Sequence, residues 1–177
     1  FRRTGTDFPG TVAFLGLWGT AALDAGTAAG ANLDLARRAR RKNPHLFFVF
    51  GGPSSPKYLE DATRFLHEHH DVAHLLVRGE GEEVICEVLE ALDFSVPEFA
   101  TPGLDVNALS NIGGLTFRDD RGEVVRTPDR ERIVDLNAVP SPYLCGEFDH
   151  VPTEEWTLAA ILESNRGCPF GCTYCDW

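Results

Sequence analysis

His45-Leu46-Phe47-Phe48-Val49-Phe50-Gly51-Gly52-Pro53 is the stretch on which the fold turns. Its apolar residues run on without alternating. That pattern belongs to a strand buried on both faces, as in a parallel sheet with helices packed on either side. The two glycines and the proline stop the strand and turn the chain toward a helix. Upstream, Thr11-Val12-Ala13-Phe14-Leu15-Gly16-Leu17-Trp18 is a second run of the same kind. Between the two, residues 27–42 read as a helix, with Ala29, Leu33 and Ala36 at helical spacing and Pro44 as the stop.

Downstream the alternation continues. Ser55 and Pro56 suit an N-cap and a first helical position, and Tyr58, Ala62 and Phe65, beside Leu59 and Leu66, form an inward stripe to about His69. His74 to Val77 reads as a third strand. Arg78-Gly79-Glu80-Gly81-Glu82-Glu83 then turns into a third helix, whose apolar face is Val84, Ile85, Val88, Leu89 and Leu92. The acidic residues sit at its positive end. Strand and helix alternating three times, with short connections, predict an α/β fold with a doubly wound parallel sheet.

Residues 94–111 lose periodicity and carry Pro97 and Pro102, so they read as a linker. Gly114 to Thr127 reads as a β-hairpin around Asp119-Asp120-Arg121-Gly122, with a further short strand at Arg132-Ile133-Val134. Ala138-Val139-Pro140-Ser141-Pro142-Tyr143 is a proline-stiffened crossover. Thr157 to Leu162 is a last apolar strand that leads into the cysteine loop.

The net charge of −11 argues against a general phosphate-binding surface and hence against nucleic acid as a partner. The basic run Arg37-Arg38-Ala39-Arg40-Arg41-Lys42 is the exception, and the C-terminal end of a helix accounts for it. A nucleic-acid patch is the second reading. No apolar run approaches the roughly 20 residues that span a bilayer, and no signal-peptide pattern opens the chain. Reduced cysteines then point to the cytoplasm. The 177 residues start at Phe1, include no methionine and stop two residues after Cys175, as expected of a piece of a longer protein.

The chemistry concentrates in Cys168-Pro169-Phe170-Gly171-Cys172-Thr173-Tyr174-Cys175. Thiolates are the preferred ligands of iron–sulfur clusters and of zinc, and glycines at 167 and 171 let a short loop bring its sulfurs together. Three close cysteines leave one iron of a cubane cluster open to a substrate or cosubstrate. Zinc with His150 or Cys145 as a fourth ligand is the competing reading, although structural zinc usually takes two paired knuckles. Cys86, among Glu83, Glu87 and Glu90, reads as a structural thiol. Helix placement accounts for Glu80 and Glu82 better than an acid–base pair does.

The C-x3-C-x2-C spacing, with Tyr174 before the last cysteine, resembles the signature of the radical S-adenosylmethionine (radical SAM) superfamily. The strand running into Gly51-Gly52-Pro53, the Arg78–Glu82 turn, the hairpin and Pro140-Ser141-Pro142 together resemble members with an N-terminal cobalamin-binding domain. The similarity runs from about residue 11 to 177. Only the cysteine motif is specific by itself.

The resemblance implies a Rossmann-like (flavodoxin-like) cobalamin domain over residues 1–110, a hairpin and linker over 111–152, and the start of a radical SAM (β/α) barrel over 153–177. It implies a 4Fe–4S cluster on Cys168, Cys172 and Cys175, with no catalytic residue beyond these ligands. S-adenosylmethionine would be cleaved reductively for radical chemistry, with methyl transfer as one outcome. Cobalamin contacts would come from Trp18, Gly51, Gly52, Pro53, Gly79, Glu80 and Gly81, and an electron donor such as flavodoxin or ferredoxin would be a partner. The sequence departs from the family in lacking Asp-x-His-x-x-Gly, whose histidine ligates cobalt in many cobalamin domains. That motif belongs after a first strand expected upstream of Phe1. Two alternatives stay open: an upstream domain that no longer binds cobalamin, and a non-catalytic α/β module with a zinc-binding tail. Gly51-Gly52-Pro53 also reads equally well as a plain turn.

Overall fold

The computed structural model describes residues 12–16, 25–44, 46–52, 55–92, 106–147, 149, 166, 170, 172 and 173, with backbone alone for 12–16 and 25–31. Strand β1 (Val12–Gly16) is followed by helix α1 (Ala25–Lys42), strand β2 (Phe47–Gly51), helix α2 (Leu59–Glu68), strand β3 (Leu75–Val77) and helix α3 (Glu82–Ala91). β1 pairs with β2, and β2 with β3, both in parallel. The three apolar runs therefore contain the parallel strands that the periodicity predicts. Each crossover is long enough because it carries a helix.

Helices cover both faces, and the period of two along β2 shows how. Phe48 and Phe50 join Leu33 and Ala36 of α1, Ala62 and Leu66 of α2, and Leu76 of β3 in one buried cluster. Phe47 and Val49 point the other way, into a cluster with Leu75, Val77, the α3 residues Val84 and Val88, and Leu92 just past the helix. Phe47, Phe48 and Phe50 are at most 1% exposed. Burial of such a side chain stabilises a fold by about 1.5–3 kcal/mol, so this one strand anchors both layers.

The sheet is mixed rather than parallel throughout. Strand β4 (Leu115–Arg118) pairs antiparallel with β3, and β5 (Val124–Arg126) antiparallel with β4, giving five strands in the order β1-β2-β3-β4-β5 among the described residues. The expected hairpin thus extends the sheet. An uncovered β3 would leave a row of backbone donors and acceptors unpaired, and β4 satisfies them.

Other expectations shift locally. Helix α2 begins at Leu59, its N-cap Tyr58 makes no side-chain cap bond, and Tyr58 and Leu59 are exposed. Ser55 does not cap it. Its N–H donates to Gly52 O in a tight turn, and its hydroxyl is buried without a partner among the described residues. A short helix α4 (Val106–Ser110) occupies the stretch read as linker, and Leu109 sinks into the core. Residues 132–134 form no strand. The strand expected at 157–162 lies outside the described residues.

The chain divides into two compact units, residues 1–134 and 135–177. In the second, Asp135 caps a 3-10 turn at Leu136–Ala138 by accepting from the Asn137 N–H at 3.0 Å. Turns follow over 142–147.

Candidate functional site

Parallel β1, β2 and β3 bring their carboxyl ends to one edge of the sheet, where ligands of α/β folds bind. Two neighbouring strands end there in glycines held in register, Gly16 opposite Gly51. Gly52 follows with φ 96°, and past β3 Gly79 has φ 76°. Those positive angles account for glycine at 52 and 79, since any other residue is strained there.

Gly51 and Gly81 have no such reason. A Cβ on Gly51 would meet Val77 O at 3.5 Å and Val77 Cβ at 3.6 Å, which is ordinary contact. A Cβ on Gly81, whose φ is −94°, would meet nothing within 4 Å among the described residues. The described residues would tolerate a side chain at both, so local packing does not account for glycine at either.

The turn leaving β3 is tied down by charge. Arg78 is buried, and its guanidinium reaches Leu115 O at 2.5 Å, Thr116 Oγ1 and Thr127 O at 2.6 Å, and the Asp129 carboxylate at 3.0–3.1 Å. Burial lowers the Arg78 pKa from its ordinary value, and the hydrogen bond from Arg78 lowers that of Asp129. The backbone joins in: Arg78 N–H donates to Gly114 O, and Gly114 N–H to Pro128 O, both at 2.8 Å. Glu80, expected at the cofactor, accepts from the Ile133 N–H at 2.5 Å. Arg130 binds Glu83 and Glu87 on α3. The helix dipole is therefore only part of why acids crowd this helix start. The sequence reading missed Arg78, whose one visible signal is a cation placed directly after Leu75-Leu76-Val77.

The histidines go elsewhere. His74 stacks on Phe47 with ring centroids 4.9 Å apart, and its Nδ1 accepts from the Phe48 N–H at 3.0 Å. Burial, with Arg40 and Arg118 nearby, pushes its pKa down to about 4. Arg37 pairs with Asp71 at 2.7 Å, and Arg40 donates to Asp71 O, so part of the basic run ties α1 to the loop before β3. Among the described residues no three possible metal ligands gather, and no helix is long and apolar enough to cross a membrane.

Of the cysteine loop, Cys172 is exposed and Phe170 is 75% exposed, while Cys168 and Cys175 lie outside the described residues, as do Trp18 and Pro53. Cys145 and Cys86 are also exposed, and the Cys86 thiol donates to Glu82 O at 3.6 Å.

No family model matches the chain. Among characterised proteins, it is 31% identical over 151 residues to the cobalamin-dependent radical SAM methyltransferase TokK of Streptomyces tokunonensis. The chain is homologous to cobalamin-dependent radical SAM methyltransferases. That match covers 82% of the chain and 20% of TokK. A 2-(S-pantetheinyl)-carbapenam-3-carboxylate methyltransferase of Streptantibioticus cattleyicolor is 29% identical over 149 residues, covering 82% of the chain and 20% of that protein. The anaerobic magnesium-protoporphyrin IX monomethyl ester cyclase of Rubrivivax gelatinosus is 27% identical over 145 residues, covering 78% and 23%. The chain therefore spans about a fifth of the length of these relatives. The expected kinship with cobalamin-domain radical SAM enzymes is borne out at this level.

Proposed function

We propose that the chain contributes the cofactor-binding part of a cobalamin-dependent radical SAM enzyme acting in methyl transfer. Its main support is the 31% identity to TokK across 82% of the chain. In this reading, β1, β2 and β3 correspond to the third, fourth and fifth strands of a flavodoxin-like sheet of order 2-1-3-4-5, in which those three are consecutive neighbours. The carboxyl edge suits a large ligand, because a side chain at Gly51 would clash with none of the described residues and one at Gly81 would meet none of them within 4 Å, yet both positions carry glycine. Gly51, Gly52 and the 79–81 turn would then meet the tail of cobalamin through main chain, with Trp18 and Pro53 alongside.

Cys168, Cys172 and Cys175 would hold a 4Fe–4S cluster whose remaining iron binds S-adenosylmethionine. When bound, the cluster supplies the electron for reductive cleavage of S-adenosylmethionine, and the corrinoid supplies a methyl carrier. The protein's own part is to hold three thiolates in a short loop and to offer a glycine-lined edge free of side chains. A small reducing protein would deliver the electron, and the reduced thiols suit the cytoplasm.

The test is metal analysis of the full-length protein, produced and reconstituted without oxygen and incubated with hydroxocobalamin. Iron and sulfide in near-equal amounts, lost in Cys172→Ala, together with retained cobalt, are expected. Stoichiometric zinc without sulfide would overturn the cluster assignment. Iron and sulfide without cobalt would leave a radical SAM enzyme whose upstream domain does not hold cobalamin.

A further inference from the structure

The Arg78-Gly79-Glu80-Gly81 turn places two charged side chains among glycines on the proposed cofactor edge, which raises the question of which groups meet the ligand. A guanidinium has five N–H donors. Arg78 uses Nε on Asp129, Nη1 on Leu115 O and Thr116 Oγ1, and Nη2 on Thr127 O and Asp129. Those are five acceptor contacts for five donors, so Arg78 has none left for a ligand. Glu80 turns to the Ile133 N–H. The glycines beside them project nothing: a Cβ at 79 or 81 would meet no atom within 4 Å among the described residues.

We propose that Arg78 and Glu80 are positioning residues which hold turn 79–81 as a ledge of bare backbone, so that the ligand meets main-chain groups there and neither charge. Arg78 fixes the start of the ledge through β4 and through the segment that follows β5. Glu80 fixes its middle against that same segment, and Arg130 holds the segment to Glu83 and Glu87 of α3. The two anchors lie on opposite sides of Gly79, whose φ of 76° gives the turn its direction. Loosening either one frees the ledge without removing a ligand contact. This inference rests on the cofactor reading above.

The experiment uses the full-length protein, hydroxocobalamin as the probe followed by its absorption spectrum, and hydrogen exchange of the cofactor-free protein. Glu80→Gln keeps an oxygen that can accept from Ile133 N–H, and binding within about twofold of the unmodified protein is expected. Glu80→Ala removes the anchor, and a loss of about tenfold is expected, the equivalent of one hydrogen bond to a charged group. Arg78→Lys, with a single ammonium in place of the fork, should lose at least as much. In Glu80→Ala the amides of 79–82 and 133 should exchange faster than in Glu80→Gln. A purely structural role would lower the thermal midpoint and leave the affinity of the folded protein unchanged.

Equal losses in Glu80→Gln and Glu80→Ala would overturn the proposal, since they would make the charge itself a ligand contact. Unchanged affinity in Glu80→Ala and Arg78→Lys would overturn it too. If the unmodified protein does not bind hydroxocobalamin, the cofactor reading itself falls, an outcome separate from either of these.

Discussion

Gly51→Ala is the sharpest probe of the carboxyl edge, because it adds one methyl group where the fold has room for it. The added Cβ would stand 3.5 Å from Val77 O and 3.6 Å from Val77 Cβ, ordinary contact distances. Gly51 lies within β2 and does not have a positive φ. Replacing glycine at a compatible backbone angle stabilises by about 0.4–1 kcal/mol, through lost freedom of the unfolded chain. The thermal midpoint of the full-length protein should therefore hold or rise. Binding should move the other way. A methyl group forced into a close-packed contact costs about 1–3 kcal/mol, which is about 5- to 150-fold in the dissociation constant for hydroxocobalamin. Gly52→Ala is the informative contrast. With φ at 96° it carries a backbone penalty of roughly 1–2 kcal/mol whatever lies beside it, so stability and binding fall together. The assay pairs absorbance titration with a thermal scan for each variant. Unchanged affinity in a stable Gly51→Ala protein would refute the view that a ligand approaches this backbone.

Two further outcomes follow from the same geometry. Gly114→Ala should cost about 2–4 kcal/mol, because φ is 83° and the new Cβ would lie 3.0 Å from Arg78 O, whereas Gly122→Ala, with φ 82° and nothing within 4 Å, should cost about 1 kcal/mol. Equal losses in thermal unfolding would remove the close approach from the account. The folded-state pKa of His74, about 4 against an ordinary 6.5, means that the folded protein holds fewer protons than the unfolded chain between those values. Its contribution of up to about 3 kcal/mol is complete above pH 6.5 and drains away as pH falls toward 4. His74→Asn should flatten the stability profile over that window, and an unchanged slope in denaturant unfolding would assign it to other groups.

Periodicity located what depends on neighbouring residues. The unbroken run at Phe47–Phe50 revealed a strand buried on both faces, and Phe47 and Phe48 do take opposite sides. Arg118 and Val124 flank a turn whose glycine and aspartates announced the hairpin. What escaped depends on partners far along the chain. Ser55-Pro56 carries the local chemistry of a helix start, yet the helix waits until Leu59, and no local rule reveals that Ser55 is consumed by a turn on Gly52. Helix α4 has only Val106 and Leu109 at helical spacing, too short a pattern to register among prolines. Arg78 reads as one end of a glycine turn, and its acceptors lie 37 to 51 residues away. For the site, glycine at 51 and 52 was visible in the sequence. The distinction between them, one glycine required by its backbone angle and the other not, appears only when φ and the neighbouring strand are known.

The strand order of the sheet bears on how the chain is made. Because β1-β2-β3-β4-β5 is also the order of synthesis, each described strand after β1 finds one partner already made when it leaves the ribosome. Topologies rich in sequence-near pairings fold quickly for their size. The slow interval falls at β3. It has three residues, all buried in the finished protein, and its free edge stays open until β4, which starts 38 positions further on, has been translated. During that interval Leu75, Leu76 and Val77 form an uncovered apolar edge of the kind chaperones bind. Nascent chains of which Val77 but not Leu115 has left the ribosome should therefore be captured by a holdase more readily than chains that have emerged past Thr127.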